Sequence, residues 1–321
     1  MKAAVIHTFG QPPRFEDFPE PTAGEGEVSV NVRAAGLHPI VRALASGSHY
    51  GSTNELPLIP GVDAVGSLDD GTRVYFIMVR PPYGTMATRA VVPRGMCIPI
   101  PDSLDDITAA ALFNPGLSSW LALTWRAQLA PGETVLILGA TGVAGKLAVQ
   151  IAKRLGAGKV IALGRNAQVL SQLSHLGADV TISLNQPGQD LTEAIANAAG
   201  STGIHVIIDY LWGRPTEAVI AAITRQGLTH VAPRVRLIEV GQMAGPTITL
   251  PASVLRSSGL EISGIGAGNI PIERIMEAMP QLIADAASGK LRIDTEQVPL
   301  AEIEAAWQRQ TTDNRRLVVL P

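Results

Sequence analysis

The chain has 321 residues, of which 46 % are hydrophobic and 17 % charged, and its formal net charge is −3. A chain of this length can bury a large core and suits two domains. The slightly acidic balance argues against nucleic acid or an anionic membrane surface as a partner. The single cysteine, Cys97, excludes internal disulfides and a structural zinc site built from several thiolates. The sequence shows no signal peptide and no apolar run of about 18 residues, so we expect a cytoplasmic protein without a membrane span.

About the first hundred residues predict short strands that are rich in β-branched residues and interrupted by Gly and Pro. The expected strands are MKAAVIH, EVSVNVRAAG, DAVGSL, TRVYFIM, TMATRAVVP and CIPIP, with a short helix from Pro39 to Gly47. This pattern favours an irregular, mostly antiparallel β unit. A helical segment follows, SLDDITAAALFNPGLSSWLALTWRAQL, and we expect Pro115-Gly116 to break it in the middle.

The stretch from Thr134 to Gly156 predicts a buried strand, a glycine-rich turn and an amphipathic helix. Small residues at positions 140, 142 and 145 allow a sharp turn that approaches a pyrophosphate closely and directs free helix N–H groups at it. We therefore expect the turn to bind a dinucleotide cofactor through Ala140, Thr141, Gly142, Val143 and Ala144. A tight turn without a ligand is the alternative.

Beyond this turn, strands alternate with helices of about ten residues, which is typical of a doubly wound parallel sheet. The expected strands lie at 159–163, in DVTISL, and at 205–211, 235–241 and 260–266. After Ile270 come an amphipathic helix, a strand in IDTEQVPL, the helix AEIEAAWQRQ and a final strand in RLVVLP. We expect this tail to return to the N-terminal β unit.

Short motifs occur in a fixed order along nearly the whole chain. They are MKAAVIHTFGQP, AAGLHP, PGVDAVG, TRVYF, PDSLDDITAAAL, LILGATGVAG, LGAD and RRLVVLP. As a set they resemble the medium-chain dehydrogenase/reductase superfamily, in its zinc-free quinone oxidoreductase branch. The resemblance implies an α/β protein in which a GroES-like β-rich catalytic domain (1–116 and 268–321) carries an inserted Rossmann domain (117–267). It also implies that the cofactor binds in the cleft between these domains.

The chain departs from this superfamily at the metal site. Zinc-dependent members have a cysteine near position 38 and a His-Glu pair after the glycine at 61, whereas this chain has His38 and Gly61-Val62-Asp63. Three suitably placed ligands for a catalytic zinc are not visible, so we expect no metal. Typical quinone reductases have an asparagine near 38 and an aspartate near 41. This chain has His38 and Val41, so the polar groups around the substrate are altered.

The end of the second Rossmann strand predicts NADPH as the cofactor. An NAD-specific domain places an acidic residue there, but this chain reads Gly164-Arg165-Asn166. Arg165 can meet a 2′-phosphate with charge-assisted hydrogen bonds, Gly164 leaves room, and Asn166 can cap the following helix. A solvated surface arginine is the alternative. The family often adds a tyrosine after the third strand, where this chain has Ser183-Leu184.

Further cofactor contacts are expected at the carboxyl ends of later strands, where ligands of doubly wound sheets lie. The candidates are Leu211, Gly241, Gln242 and Ile265. The resemblance adds Asn114 and Ser118, where the chain enters the nucleotide domain, and Arg316 near the C-terminus. For Asn114 the alternative is a turn residue before Pro115, and for Arg316 a surface charge.

Three polar side chains are candidates for the substrate site: His38, Tyr50 and Tyr83. His38 precedes Pro39 in a turn that the resemblance places at the cleft, and both tyrosines lie in glycine-rich loops. A structural or packing role is the alternative for each of them.

These residues lead to the hypothesis of an NADPH-dependent, zinc-independent reductase of a quinone or an α,β-unsaturated carbonyl. The competing class is a non-catalytic NADPH-binding redox sensor or structural protein on the same fold. The segment Pro246–Leu250 resembles the edge strand of the family, and an exposed edge is an aggregation risk unless it is paired. We therefore expect a homodimer that pairs this segment.

Overall fold

A computed structural model describes residues 1–224, 232–309 and 314–321. The strands are β1 (Lys2–Val5), β2 (Arg14–Asp17), β3 (Glu27–Gly36), β4 (Asp63–Ser67), β5 (Arg73–Ile77), β6 (Arg89–Pro93), β7 (Cys97–Pro99), β8 (Thr134–Leu138), β9 (Lys159–Gly164), β10 (Val180–Ser183), β11 (Val206–Asp209), β12 (Val235–Glu239), β13 (Leu260–Gly264), β14 (Thr295–Pro299) and β15 (Arg316–Leu320). The helices are α1 (Pro39–Ala45), α2 (Asp106–Leu121), α3 (Val143–Arg154), α4 (Ala167–Gln172), α5 (Gly188–Ala199), α6 (Gly213–Ile223), α7 (Ala252–Ser257), α8 (Ile272–Ala287) and α9 (Ile303–Gln308). The sequence pattern missed β2 and α7, which are only four and six residues long. Within the described ranges, no helix combines the length and apolarity that crossing a membrane requires.

The chain divides into two compact units, one of residues 1–114 with 281–321 and one of residues 115–280. Both divisions fall inside helices, namely α2 and α8. The family resemblance predicts domain boundaries at 116/117 and 267/268, and these stay predictions.

The first unit is built on a sheet with the strand order β14-β15-β3-β4-β5-β7, in which β6 also pairs with β3. Its pairs are antiparallel except for the parallel pair of β14 and β15. The C-terminal strand β15 pairs with β3 through Val318–Gly36 and Val319–Ala35. This pairing confirms that the tail returns to the N-terminal β unit.

The second unit contains a fully parallel six-stranded sheet with the order β10-β9-β8-β11-β12-β13. This is the strand order of the Rossmann fold, which confirms the predicted fold class. Strand β8 is buried along its whole length. Its neighbours β9 and β11 continue the order in opposite directions, so its carboxyl end lies at the topological switch point, where such sheets bind ligands.

The expected break at Pro115 is wrong, because α2 continues through this residue to Leu121. A proline inside a helix usually costs about 3 kcal/mol through a lost hydrogen bond and a steric clash. Here the preceding turn, Ala109–Phe113, is fully buried, and the hydroxyls of Ser118 and Ser119 both donate to the Pro115 carbonyl. Tertiary burial therefore outweighs the local preference for a break.

The expected edge strand at 246–250 is absent from the described structure of the single chain, because these residues join no β-ladder. The Thr249 N–H donates instead to the Glu217 carboxylate, and Ile248 and Leu250 pack partly against the core of the second unit. The free edges of the parallel sheet are β10 and β13.

The close approach of α3 to the preceding turn generates a stability prediction. A Cβ on Gly145 would lie 2.2 Å from the Gly139 carbonyl oxygen, so Gly145→Ala must displace the helix. We expect a loss of about 1–3 kcal/mol in the free energy of unfolding, measured by urea denaturation. At Gly188, the first residue of α5, no atom of the described residues lies within 4 Å of the position that a Cβ would take. Gly188→Ala is therefore the control and should cost nothing. Equal losses in the two variants would contradict the close approach.

Candidate functional site

The turn after β8 is shaped by its own backbone. Gly139 has a φ of +84°, a left-handed conformation that favours glycine. The N–H groups of Gly139 and Ala140 both donate to the Leu163 carbonyl at 3.0 and 2.8 Å, which ties the turn to β9. Helix α3 begins at Val143, and the first N–H groups of a helix have no acceptor within it. The turn therefore presents N–H groups and the positive end of the helix dipole to an anion.

Thr141 and Gly164 are brought into contact at the end of β9. A Cβ on Gly164 would lie 2.3 Å from Cγ2 of Thr141 and 2.7 Å from its Oγ1. The space that a larger residue would fill at position 164 is thus occupied by the threonine side chain, which is itself buried. This contact joins the glycine-rich turn to the segment predicted to select the cofactor.

Arg165 follows immediately and is exposed. Within the described residues its guanidinium has no hydrogen bond and no ion pair. The neighbouring Asn166 caps α4, because its Oδ1 accepts a hydrogen bond of 3.1 Å from the Val169 N–H. The expected cap is confirmed, and the arginine beside it is free to bind an anion.

Asp209, at the end of β11, is a buried carboxylate that the sequence analysis did not select. Its Oδ1 accepts hydrogen bonds from the N–H groups of Leu211 and Trp212 at 2.8 and 2.9 Å, and its Oδ2 accepts from the Thr216 hydroxyl at 2.5 Å. Burial raises the pKa of Asp209, while these hydrogen bonds act in the opposite direction. The carboxylate fixes the backbone of Leu211, and the Leu211 side chain lies over Gly139. The sequence signal that could have identified Asp209 is an acidic residue at the end of an apolar strand.

The remaining strand-end candidates follow β12 and β13. The Gly241 N–H donates to the Asp209 carbonyl at 3.2 Å, and the Ile265 N–H donates to the Glu239 carbonyl at 2.9 Å. Ile265 is buried and Gln242 is exposed. The pKa of Glu239 is raised by burial and by the nearby charge of Asp209. The carboxyl edge of the sheet thus carries two acidic groups in addition to the predicted residues.

Ser118 lies on α2 and donates to the Pro115 carbonyl at 2.9 Å. The next residue, Ser119, is fully buried, and its Oγ lies 2.6 Å from the Tyr210 hydroxyl. Burial raises the pKa of Tyr210 to about 12, so this tyrosine stays protonated at neutral pH. Tyr210 follows Asp209, which links α2 to the carboxyl end of β11.

The first unit contains a separate buried polar cluster around Asp63. The Asp63 carboxylate accepts a hydrogen bond from the Tyr75 hydroxyl at 2.9 Å and one from Nδ2 of Asn114 at 3.4 Å. Nε2 of His38 lies 3.4 Å from Oδ1 of the same carboxylate. The structure thus brings together the predicted residues His38 and Asn114, and it adds Asp63 and Tyr75, which sequence reasoning missed. Asn114 is helical, so its alternative role as a turn residue is wrong.

Arg316 belongs to the same buried region. Its Nη1 donates to the Leu37 carbonyl at 2.9 Å, and the residue is only 7 % exposed. Burial lowers the pKa of Arg316 to about 10, although the charge of Asp63 opposes this shift. The alternative of a surface charge is therefore wrong. Arg316 instead supplies a buried positive charge near the Asp63 carboxylate.

The three candidates for the substrate site have different environments. His38 is 1 % exposed, and neither ring nitrogen has a hydrogen-bond partner in the part of the chain that the structure describes. Tyr50 is 78 % exposed, and its ring stacks on that of His49 with the centroids 4.1 Å apart. Tyr83 packs edge-on against Phe18 with the ring centroids 5.8 Å apart, and both rings are partly buried against the core of the first unit. No hydrogen bond, ion pair or ring contact among the described residues joins these three side chains to one another. Across the same residues, no three His, Cys, Asp or Glu side chains are grouped to hold a metal ion.

His38 generates a prediction about the pH dependence of stability. Burial lowers the pKa of His38, so the folded protein keeps it neutral below the ordinary value of about 6.5. The unfolded chain then binds one more proton, and the free energy of unfolding falls as the pH drops below about 6.5. We expect His38→Gln to reduce this loss in urea denaturation between about pH 5 and pH 7.5. The exposed His175 provides the control variant His175→Gln, and an identical slope in the two variants would refute the assignment.

Comparisons with known proteins agree with this geometry. Residues 143–285 match the family model described as zinc-binding dehydrogenase. The chain is 27 % identical to a probable NADPH-dependent quinone reductase of Emericella nidulans, over 100 % of both chains. The quinone oxidoreductase of Thermus thermophilus, also solved with NADPH, is 27 % identical with a TM-score of 0.79 over 100 % of both chains. A probable oxidoreductase of Mycobacterium abscessus is 26 % identical with a TM-score of 0.83, over 100 % of this chain and 99 % of that one. Over its whole length the chain is therefore similar to proteins of the medium-chain dehydrogenase/reductase superfamily, in its quinone oxidoreductase-like branch.

Proposed function

We propose that the chain is an NADPH-dependent reductase that transfers a hydride to a quinone or an α,β-unsaturated carbonyl without a metal. The observation that carries this proposal is the free, exposed guanidinium of Arg165 beside the glycine-rich turn. It matches the extra phosphate that distinguishes NADPH from NADH. The proteins similar to this chain include a probable NADPH-dependent quinone reductase, which supports the same cofactor.

The second unit offers a fitting group to each part of the cofactor. The turn from Ala140 to Ala144 fits the pyrophosphate, because it combines small residues with the free N–H groups at the start of α3. Gly164, Arg165 and Asn166 fit the adenosine ribose and its 2′-phosphate. The residues that we assign to the rest of the cofactor are Asn114, Ser118, Leu211, Gly241, Gln242, Ile265 and Arg316. NADPH supplies the hydride when it is bound, and the protein supplies binding and orientation.

Metal-free chemistry is supported by the donor set at the positions of the family's zinc ligands. Position 38 carries a buried histidine, and Asp63 is a carboxylate that already accepts hydrogen bonds from Tyr75 and Asn114. A catalytic zinc needs three protein ligands and an open position. The Asp63 carboxylate is instead hydrogen-bonded to Tyr75 and Asn114, as in a structural polar cluster.

The substrate class follows from what the chain's polar residues can do. Reduction of a quinone or an enone leaves a weakly basic oxygen, which water can protonate later. No strong general acid is therefore required, and orientation with a few hydrogen-bond donors suffices. We assign His38, Tyr50 and Tyr83 to this substrate region. Tyr50 has an exposed hydroxyl, whereas His38 is buried and neutral.

We predict that Arg165→Ala weakens NADPH binding by about 1–3 kcal/mol, the range for hydrogen bonds to charged groups, and leaves NADH binding unchanged. Isothermal titration calorimetry with both cofactors measures the difference. Arg256→Ala, which removes another exposed arginine of the second unit, is the matched control and should leave both affinities unchanged. Equal losses for the two cofactors in Arg165→Ala would overturn the assignment.

Turnover tests the reaction itself. NADPH consumption should be measured with a panel of quinones, enones and simple aldehydes, on protein purified without added metal and checked by elemental analysis. We expect turnover of a quinone or an enone without stoichiometric zinc, poor turnover of aldehydes, and losses of about tenfold or less for His38→Ala and for Tyr50→Phe. These losses are small because no single donor is the sole stabiliser of the product oxygen. NADPH binding without turnover of any acceptor would instead favour a redox sensor.

We also propose that the chain forms a homodimer. The unpaired edge strand β13 supports this, because its residues Glu261–Ser263 are exposed and an open edge is a risk unless it is covered. The segment 246–250, which forms no strand in the single chain, can pair with its two-fold mate in the dimer. Light scattering at micromolar concentration should give twice the mass of the chain, and a monomer would contradict the proposal.

A further inference from the structure

The backbone around Arg165 is held by the segment that follows β10 and by the cap of α4. The Leu184 N–H, just after β10, donates to the Gly164 carbonyl at 2.8 Å. Nδ2 of Asn185 donates to the carbonyl of Arg165, also at 2.8 Å. On the other side, Asn166 caps α4. The main chain of Arg165 is therefore fixed, although its guanidinium has no partner among the described residues.

Asn185 is itself held in the orientation that this contact needs. Its N–H donates to the Ser183 hydroxyl at 3.2 Å, and Nε2 of Gln186 donates to the Ser183 carbonyl at 2.9 Å. These local bonds turn the chain after β10 so that the Asn185 amide reaches Arg165. An amide is suited to this task, because it donates to a carbonyl and does not neutralise a neighbouring guanidinium. A carboxylate at this position would repel a phosphate and could attract the guanidinium.

We propose that Asn185 is a positioning residue for cofactor specificity and acts through Arg165. By holding the Arg165 carbonyl, Asn185 sets the direction from which the guanidinium reaches the 2′-phosphate of NADPH. A long arginine side chain loses substantial conformational freedom when it binds a phosphate. Because the backbone of Arg165 is already fixed, less of that freedom has to be lost on binding. The inference rests on the proposed use of NADPH, and it adds a residue that makes no charge contact of its own.

The test is a double-mutant cycle with NADPH and NADH as the probes. Asn185→Ala should raise the Kd for NADPH by about three- to tenfold, the range for one net hydrogen bond, and leave the Kd for NADH unchanged. It should raise KM for NADPH with kcat unchanged at saturation. In an Arg165→Ala background, Asn185→Ala should have no further effect, because the residue acts only through that arginine.

Two further variants sharpen the test. Asn185→Asp keeps the shape but removes the donor and adds a negative charge, so it should weaken NADPH binding more than Asn185→Ala does. Asn197→Ala, an exposed asparagine on α5, is the matched control and should change neither affinity.

The outcomes separate this inference from the proposal on which it rests. A normal loss in Arg165→Ala with no loss in Asn185→Ala would overturn the inference alone. So would equal losses for NADPH and NADH in Asn185→Ala, or a full effect that persists in the Arg165→Ala background. Unchanged NADPH affinity in Arg165→Ala would overturn the proposed cofactor choice and this inference together.

Discussion

The close packing of α3 against the turn after β8 is the constraint on which the proposed cofactor site depends. Without a side chain at Gly145, the helix approaches the Gly139 carbonyl more closely than any other residue would allow. This approach places the first turn of α3 at the carboxyl end of β8, at the switch point of the parallel sheet. The free N–H groups are therefore aimed at an anion by the fold itself, without a charged side chain.

The loops around this turn are held by polar groups that bond to the backbone. Asp209 fixes the N–H groups of Leu211 and Trp212, Asn166 caps α4, and Asn185 holds the carbonyl of Arg165. Each of these groups has its partners within the second unit, so the loops are organised before a ligand arrives. Pre-organisation of this kind lowers the entropic cost of binding. The Arg165 guanidinium, in contrast, is left without a partner among the described residues.

In the first unit, a buried carboxylate is stabilised mainly by other side chains. Asp63 is 1 % exposed and is stabilised by hydrogen bonds from Tyr75 and Asn114 and by the positive charge of Arg316. Burying an unpaired carboxylate would cost several kcal/mol, so these partners are needed for the fold. His38 contributes a neutral ring to the same cluster. His38 and Asp63 are thus part of a polar interior.

Local patterns in the sequence were sufficient to predict most strands and helices, the glycine-rich turn and the helix cap at Asn166. These features depend on residues close together in the chain, where apolar periodicity and small residues act directly. The prediction failed at Pro115, where burial of α2 outweighs the local preference. The segment 246–250 joins no β-ladder within the described residues of the single chain, and its pairing in a dimer stays a prediction. The cluster of Asp63, Tyr75 and Arg316 joins distant parts of the chain, and no local pattern reports such contacts.

A crystal structure of the protein with NADPH would show directly which groups bind the cofactor. We expect the pyrophosphate to lie against the N–H groups at the start of α3 and the 2′-phosphate to lie within hydrogen-bond distance of the Arg165 guanidinium. A 2′-phosphate bound by other residues, with Arg165 still in solvent, would refute the proposed role of Arg165.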